Sequence, residues 1–222
     1  MRKAGELIKE YLREGKLAAN RSEPIGTGGY GVVYASDVPG NVMKQSLQPD
    51  GLFPGAQTSL TDEANMQAVA AEMGIAPRIA GVETFPGGIG NRIEMQDVRP
   101  NFELHRTNKQ FPSGRDAVRV NQQLGALAQK GLELGDRHTG NIMYNKMTGR
   151  PLQLDFGKAR KVKGDDQVIA LMDATADGFE AAGLGDVAEI YRATVMDYVV
   201  GGQIAEAMDV AKQGFSRLQK LK

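Results

Sequence analysis

Leu134-Gly135-Asp136-Arg137-His138-Thr139-Gly140-Asn141-Ile142-Met143 places a carboxylate and a carboxamide five residues apart on a short segment bounded by apolar residues. A carboxylate so placed is suited to orient an attacking hydroxyl and accept its proton, which makes Asp136 a candidate base. The amide oxygen of Asn141 suits Mg2+, a hard cation that takes oxygen ligands. The bland alternative is a capped surface loop, because Asp and Asn both favour turns. The flanking sequence weighs against it. Fourteen residues past Asn141, Leu152-Gln153-Leu154-Asp155-Phe156-Gly157 reads as an apolar strand that delivers a second carboxylate. Phe156 is expected to pack beneath it, and Gly157 lets the chain turn.

Further upstream, Gly26-Thr27-Gly28-Gly29-Tyr30-Gly31-Val32-Val33 fits G-x-G-x-x-G-x-V. Glycines bring backbone N–H groups close to phosphates without a Cβ in the way. A dinucleotide-binding loop would pass from strand into helix. Here Val32-Val33-Tyr34 continues as a strand, so the loop is the tip of a hairpin. Thirteen residues past Gly31, Val42-Met43-Lys44 puts a cation on the next strand, where it can hold phosphate oxygens. Such a lysine needs a carboxylate to fix it. Glu63 supplies one from a helical stretch. Glu72 is the rival, but it falls in the last turn of that helix. Taken singly, Lys44 is also readable as an exposed strand lysine and Glu63 as a first-turn charge favoured by the helix dipole.

The 222 residues leave room for one compact domain or two small lobes. Lys plus Arg and Asp plus Glu are both 27, which argues against a protein that lives on nucleic-acid phosphates or anionic membranes. There is no Cys and there are two His, which excludes disulfide scaffolds, thiolate metal sites and His-rich metal chemistry. No stretch is long and apolar enough to span a bilayer, and the first twenty residues lack the apolar core of a Sec-type signal. The periodicity predicts an amphipathic helix over residues 4–17 and three short strands between residues 22 and 45, with a turn at Pro39-Gly40-Asn41. It predicts a loop over 46–59, then a helix over Thr61–Met73 with Thr61 as cap and Gly74 as stop. A strand pair follows at 78–85 and 91–98. One long helix covers 113–133, opened by Pro112-Ser113. A hairpin joins Ile142–Tyr144 to Leu152–Leu154, and helix runs from residue 165 to the end.

Four motifs in this order, on these elements, resemble the protein-kinase-like superfamily. The motif match covers residues 20–160. The fold it implies is α+β: a minimal two-lobed kinase-like fold, single domain, with a β-rich N-lobe to about Val98 holding one αC-like helix. A reduced α-helical C-lobe runs from about residue 99 to 222. The resemblance implies ATP and Mg2+ as cofactors. Carried over by position, Gly26, Gly28, Gly29, Gly31 and Val33 would form the phosphate loop. Lys44 and Glu63 would be the ion pair, Asp136 the catalytic base, and Asn141 and Asp155 the Mg2+ ligands. Met95 would lie by the adenine, with Gln96 to Val98 as the hinge that reads its edge. His138 sits where protein kinases often carry a Lys to the γ-phosphate, and equally fits a loop-ordering role.

The departures are specific. Leu134-Gly135-Asp136 replaces H-R-D, no A-P-E follows Asp155, and 65 residues remain after Gly157. These imply an enzyme that needs no activation-loop phosphorylation. Gly-Asp-Arg-His-x-x-Asn-Ile-Met also looks like the catalytic loop of phosphatidylinositol kinases, which keeps a lipid or small-molecule acceptor open. A pseudokinase binding module is the reading from another class. The small size, the loop and the short C-terminal half further resemble the HopBF-class kinases, effectors delivered by bacterial type III secretion. That resemblance implies a monomeric serine/threonine kinase acting in the host cytoplasm on the heat shock protein 90 chaperone and inactivating it. Elsewhere, His105 reads as structural, in a short helix with Phe102 and Leu104. Lys158, Arg160, Lys161 and Lys163 form a basic run read mainly as a solvated loop.

Overall fold

The structure, a computed structural model, describes residues 23–27, 31–46, 59–85, 91–104, 113–136 and 139–221. The expectations for residues 4–17, for the 46–59 loop beyond Ser46 and before Ser59, and for His105 lie outside these residues. So do Gly28, Gly29, Tyr30, Arg137 and His138. The chain is α+β and divides into two compact units. One comprises Met1–Pro100 together with Asp155–Lys158; the other comprises Asn101–Leu154 and Ala159–Lys222.

The first unit is a five-stranded antiparallel sheet with one helix against it. Its strands are β1 (Gly26–Thr27), β2 (Gly31–Ala35), β3 (Asn41–Ser46), β4 (Ile79–Glu83) and β5 (Arg92–Gln96), in the order β1-β2-β3-β5-β4. Gly40, at φ +83°, makes the β2–β3 turn that brings Val33 opposite Lys44 and Ala35 opposite Val42. Helix α1 (Leu60–Glu72) starts at Ser59, whose side chain accepts a hydrogen bond from Asp62 N–H at 3.1 Å. Thr61 lies inside the helix and is not its cap. A cap must precede the first turn with its oxygen aimed at the orphan N–H groups, and Ser59 holds that place. Gly74, at φ +68°, ends the helix as expected. Leu60 and Ala64 of α1 pack on Val42, Ile93 and Met95 of the sheet.

The second unit is mostly helical. Helix α2 (Gly114–Gln129) is capped by Ser113. It ends sooner than the periodicity suggests. Gly131, at φ +73°, turns the chain into β7 (Leu132–Leu134), so the last residues of the expected helix are strand. Strand β7 pairs antiparallel with β10 (Ala159–Lys161). Strand β6 (Phe102–Leu104) pairs with β8 (Ile142–Asn145), which pairs with β9 (Pro151–Gln153). Phe102 and Leu104 are therefore strand residues, not helical ones. The basic run is partly strand too, since Arg160 is tied to Glu133 at 2.7 Å and to Asp166 at 3.3 Å. Helices α3 (Asp165–Ala181), α4 (Gly185–Val200) and α5 (Ile204–Leu218) complete the unit. Leu171, Phe215 and Leu218 are fully buried in its core.

Candidate active site

Lys44 and Glu63 come together because two periodicities agree. On β3, Val42 and Lys44 share the face turned to α1. On α1, Leu60, Glu63, Ala64 and Gln67 share the buried stripe. Packing the apolar members of each set forces Lys44 Nζ to 2.5 Å from Glu63 Oε1. Glu63 is wholly buried, and Glu72 is exposed at the far end of the helix. Asp155 Oδ1 lies 3.1 Å from the same Lys44 Nζ and accepts a further hydrogen bond from Gly157 N–H at 3.0 Å. Phe156 is fully buried.

These charges tune one another. Burial works against the Lys44 ammonium, but Glu63 and Asp155 outweigh it and hold the lysine above its ordinary value. Burial raises the Glu63 carboxyl against the pull of Lys44. At Asp155 burial pushes up, while Lys44 and the Gly157 N–H push down, and the carboxyl ends below its ordinary value. The result is a fixed ammonium between two carboxylates, one sealed in and one, at 45% exposure, open to solvent.

The glycine-rich hairpin is described at its two ends. A Cβ on Gly31 would stand 2.9 Å from Gln45 O and 3.6 Å from Lys44 Cε, so only glycine permits this approach of β2 to β3 beside the lysine. At Gly26 a Cβ would make only ordinary contact with Val33. Val33 is Cα partner to both Gly26 and Lys44.

At the end of β5, Met95 is buried between Cα partners Val42 and Ile79. Gln96 N–H donates to Arg78 O and Asp97 N–H donates to Gly40 O, both at 2.8 Å. The Asp97 carboxylate, held below its ordinary value chiefly by its hydrogen bonds to the Arg99 guanidinium, accepts from Arg99 Nε at 2.9 Å and Nη2 at 2.7 Å. Val98 is buried, and its N–H has no partner among the described residues. Of the three expected hinge positions, Val98 therefore presents the unspent backbone donor.

The second unit carries Asp136 and Asn141. Strand β7 is held by β10 on one side of the loop and β8 by its hairpin on the other. A single 3-10 turn, Thr139–Asn141, enters β8. Asn141 Nδ2 donates back to Asp136 O at 3.4 Å, and Leu154 N–H donates to Asn141 O at 2.9 Å. The amide nitrogen thus faces the loop, and Asn141 Oδ1 accepts no hydrogen bond among the described residues. Asp155 Oδ2 likewise has none. Each is a hard oxygen of the kind Mg2+ takes, Asn141 in the second unit and Asp155 in the first. Among the described residues there is no group of three or more His, Cys, Asp or Glu side chains able to hold a metal.

Two features escape the sequence motifs. The membership of Asp155 in the first unit, on the Lys44 ammonium, is a long-range contact with no local signal. Gln67, a polar residue at 0% exposure, lies one turn beyond Glu63 and would pass for a solvated helix residue.

The described residues thus give an α+β chain: an antiparallel five-stranded sheet with one helix, a strand lysine on a buried helix glutamate and an Asp-Phe-Gly carboxylate on that lysine in one unit, and Asp-x4-Asn in a mostly helical second unit. No family model matches the chain, and no curated protein does. Among solved structures, the Cydia pomonella granulovirus kinase PK-1 aligns with 72% of this chain at 14% identity and a TM-score of 0.45. The chain covers 61% of that kinase's length.

Proposed function

We propose that the protein transfers the γ-phosphoryl group of ATP to a serine or threonine hydroxyl of a protein, with Mg2+. The observation that carries this reading is the Lys44 ammonium seated between buried Glu63 and exposed Asp155. Lys44 would hold the α- and β-phosphate oxygens, with Glu63 fixing its position. The Gly26–Gly31 hairpin would cover the phosphates with backbone N–H groups. The Val98 N–H would read the adenine edge beside Met95. Asn141 Oδ1 and Asp155 Oδ2 would hold Mg2+, which neutralises charge on the β- and γ-phosphate oxygens. Asp136 would orient the acceptor hydroxyl and take its proton as the new O–P bond forms and the bond from the γ-phosphorus to the bridging oxygen breaks, leaving ADP.

The acceptor follows from the narrower resemblance of the Gly135–Met143 loop to the HopBF-class effectors. We propose the heat shock protein 90 chaperone of a eukaryotic host, phosphorylated and inactivated in the host cytoplasm by a monomer delivered through type III secretion. The test is incubation of the purified protein with γ-labelled ATP and Mg2+ in a eukaryotic lysate, beside Asp155→Ala. One labelled protein band at the chaperone's mass, absent with the variant, is the expected result. Label in the lipid or soluble fraction instead would overturn the protein acceptor in favour of a phosphatidylinositol-kinase-like activity. ATP binding without transfer anywhere would overturn catalysis itself.

A further inference from the structure

The amide of Gln67 is spent in an unusual way. It lies on α1 one turn past Glu63, on the same stripe, and is completely buried. Gln67 Nε2 donates to Pro77 O at 3.0 Å and to Met95 Sδ at 3.5 Å, which uses both of its hydrogens. A proline carbonyl can only accept, so the nitrogen must face it. Gln67 Oε1 is then left buried with no partner. An unpaired buried oxygen costs stability, and a methionine or leucine of similar size would avoid that cost. What the amide secures is geometry. Pro77 precedes Arg78, whose carbonyl accepts from Gln96 N–H at 2.8 Å, and Met95 precedes Gln96. Helix α1, the connection to β4, and the end of β5 are thus locked in one frame, and Gln67 is its helical corner.

We propose that Gln67 is a positioning residue: its two N–H bonds set the slide and rotation of α1 against β5, and so set where Glu63 meets Lys44. The kinetic consequence rests on the phosphotransferase reading; the geometric one does not.

The test uses the full chain, which has no cysteine, so paired spin labels at Asn65→Cys on α1 and Ala35→Cys on β2 report on the frame alone. Gln67→Met removes both donors and the orphan oxygen. It is expected to shift or broaden the label–label distance distribution and to lower kcat at least tenfold, with KM for ATP changed less than threefold. Gln67→Glu supplies an internal rescue. A buried carboxyl stays protonated well above its usual range, over a window somewhere between roughly pH 5 and 9. Its O–H then donates to Pro77 O. Distribution and turnover are expected to be native-like while the carboxyl is neutral and to be lost together as it ionises. Wild type is measured at each pH as baseline, because Lys44, Glu63 and Asp155 titrate in the same unit. If Gln67→Met does not fold, the pH comparison within Gln67→Glu decides alone. A wild-type distance distribution in Gln67→Met, or in Gln67→Glu at every pH, overturns the proposal. If the distribution moves as stated while the wild type transfers no phosphate, the positioning role stands and the proposed reaction fails.

Discussion

Lys44 Nζ is 2.5 Å from Glu63 Oε1 and 3.1 Å from Asp155 Oδ1, so one ammonium joins a strand, a helix and the Asp-Phe-Gly turn. The two carboxylates are not equivalent. Glu63 is sealed and Asp155 has a free oxygen facing solvent. Removing Glu63 leaves Lys44 to swing toward Asp155. Glu63→Ala is therefore expected to cut ATP turnover by about tenfold or more, about 1.4 kcal/mol of barrier. Glu72→Ala, on the exposed end of α1, should stay within about twofold. Steady-state kinetics of the pair checks the ranking, and the reverse order would assign the ion pair to Glu72.

Asp155→Ala separates chemistry from folding. Asp155 is 45% exposed although Lys44 is mostly buried, so solvent screens the lost pair and its contribution is on the order of 1 kcal/mol. Lys44 keeps Glu63. Thermal unfolding should remain cooperative with a small change in Tm, while on the proposed reading, in which Asp155 would hold Mg2+, phosphate transfer falls to about 1% or less. Full activity in this variant would contradict the proposed role.

Ser59 is the oxygen that caps α1. Ser59→Ala should cost about 1 kcal/mol in denaturant unfolding, and Thr61→Ala, exposed within the first turn, should cost much less. Equal costs would return the cap to Thr61.

Gly125 on α2 lies against Phe215 on α5. A Cβ there would run into the Phe215 ring at Cε2 and Cδ2. Glycine to alanine inside a helix ordinarily gains about 1 kcal/mol. Here the fully buried ring has to move, at about 1–3 kcal/mol. Gly125→Ala should lower Tm, and adding Phe215→Leu should recover part of the loss. Gly185→Ala meets nothing within 4 Å and should be neutral or stabilising.

Tyr191 is buried against α5, donates to Ala211 O at 3.2 Å, and has its phenol pushed up to about 12 by burial. The folded state keeps a proton that the unfolded chain loses near pH 10. Stability is therefore expected to fall as pH rises from about 10 to about 12, by at most about 2.7 kcal/mol for this group. Tyr144, also pushed up to about 12, adds to the same limb. In Tyr191→Phe the alkaline loss should shrink by roughly half, measured by urea unfolding at pH 8 and pH 11. An unchanged slope would place the alkaline limb elsewhere.

Much of this architecture is written in local pattern. β-Branched and aromatic residues (Val32, Val33, Tyr34, Val42) between glycine turns make strands over Gly31–Ala35 and Asn41–Ser46, and the buried stripe of Leu60–Glu72 makes a helix that must pack it. Glycines at 40, 74 and 131 take positive φ and end elements where they stand. The Lys44–Glu63 pair was expected from motif order and from Glu72's place in the last helical turn; the structure supplies the reason it forms, since both residues sit in phase with the faces that pack. Leu132–Leu134 and Ala159–Lys161 were not legible. Each is three residues long, too short for a period, and is a strand only because the other lies beside it. Phe102–Leu104 failed likewise, because its partner β8 is forty residues away.

The chain by itself determined which chemical groups are present, their order, and the faces of strand and helix they occupy, since those follow from residue type and a period of two or 3.6. Tertiary structure alone decided that Asp155 would share Lys44 with Glu63, that Ser59 would cap α1, and that a glutamine would be buried as the corner joining α1 to β5. The first and third depend on which distant groups come within hydrogen-bond reach, set by the packing of whole elements; the cap depends on where the first turn of α1 begins, which brings Asp62 N–H within reach of Ser59 Oγ.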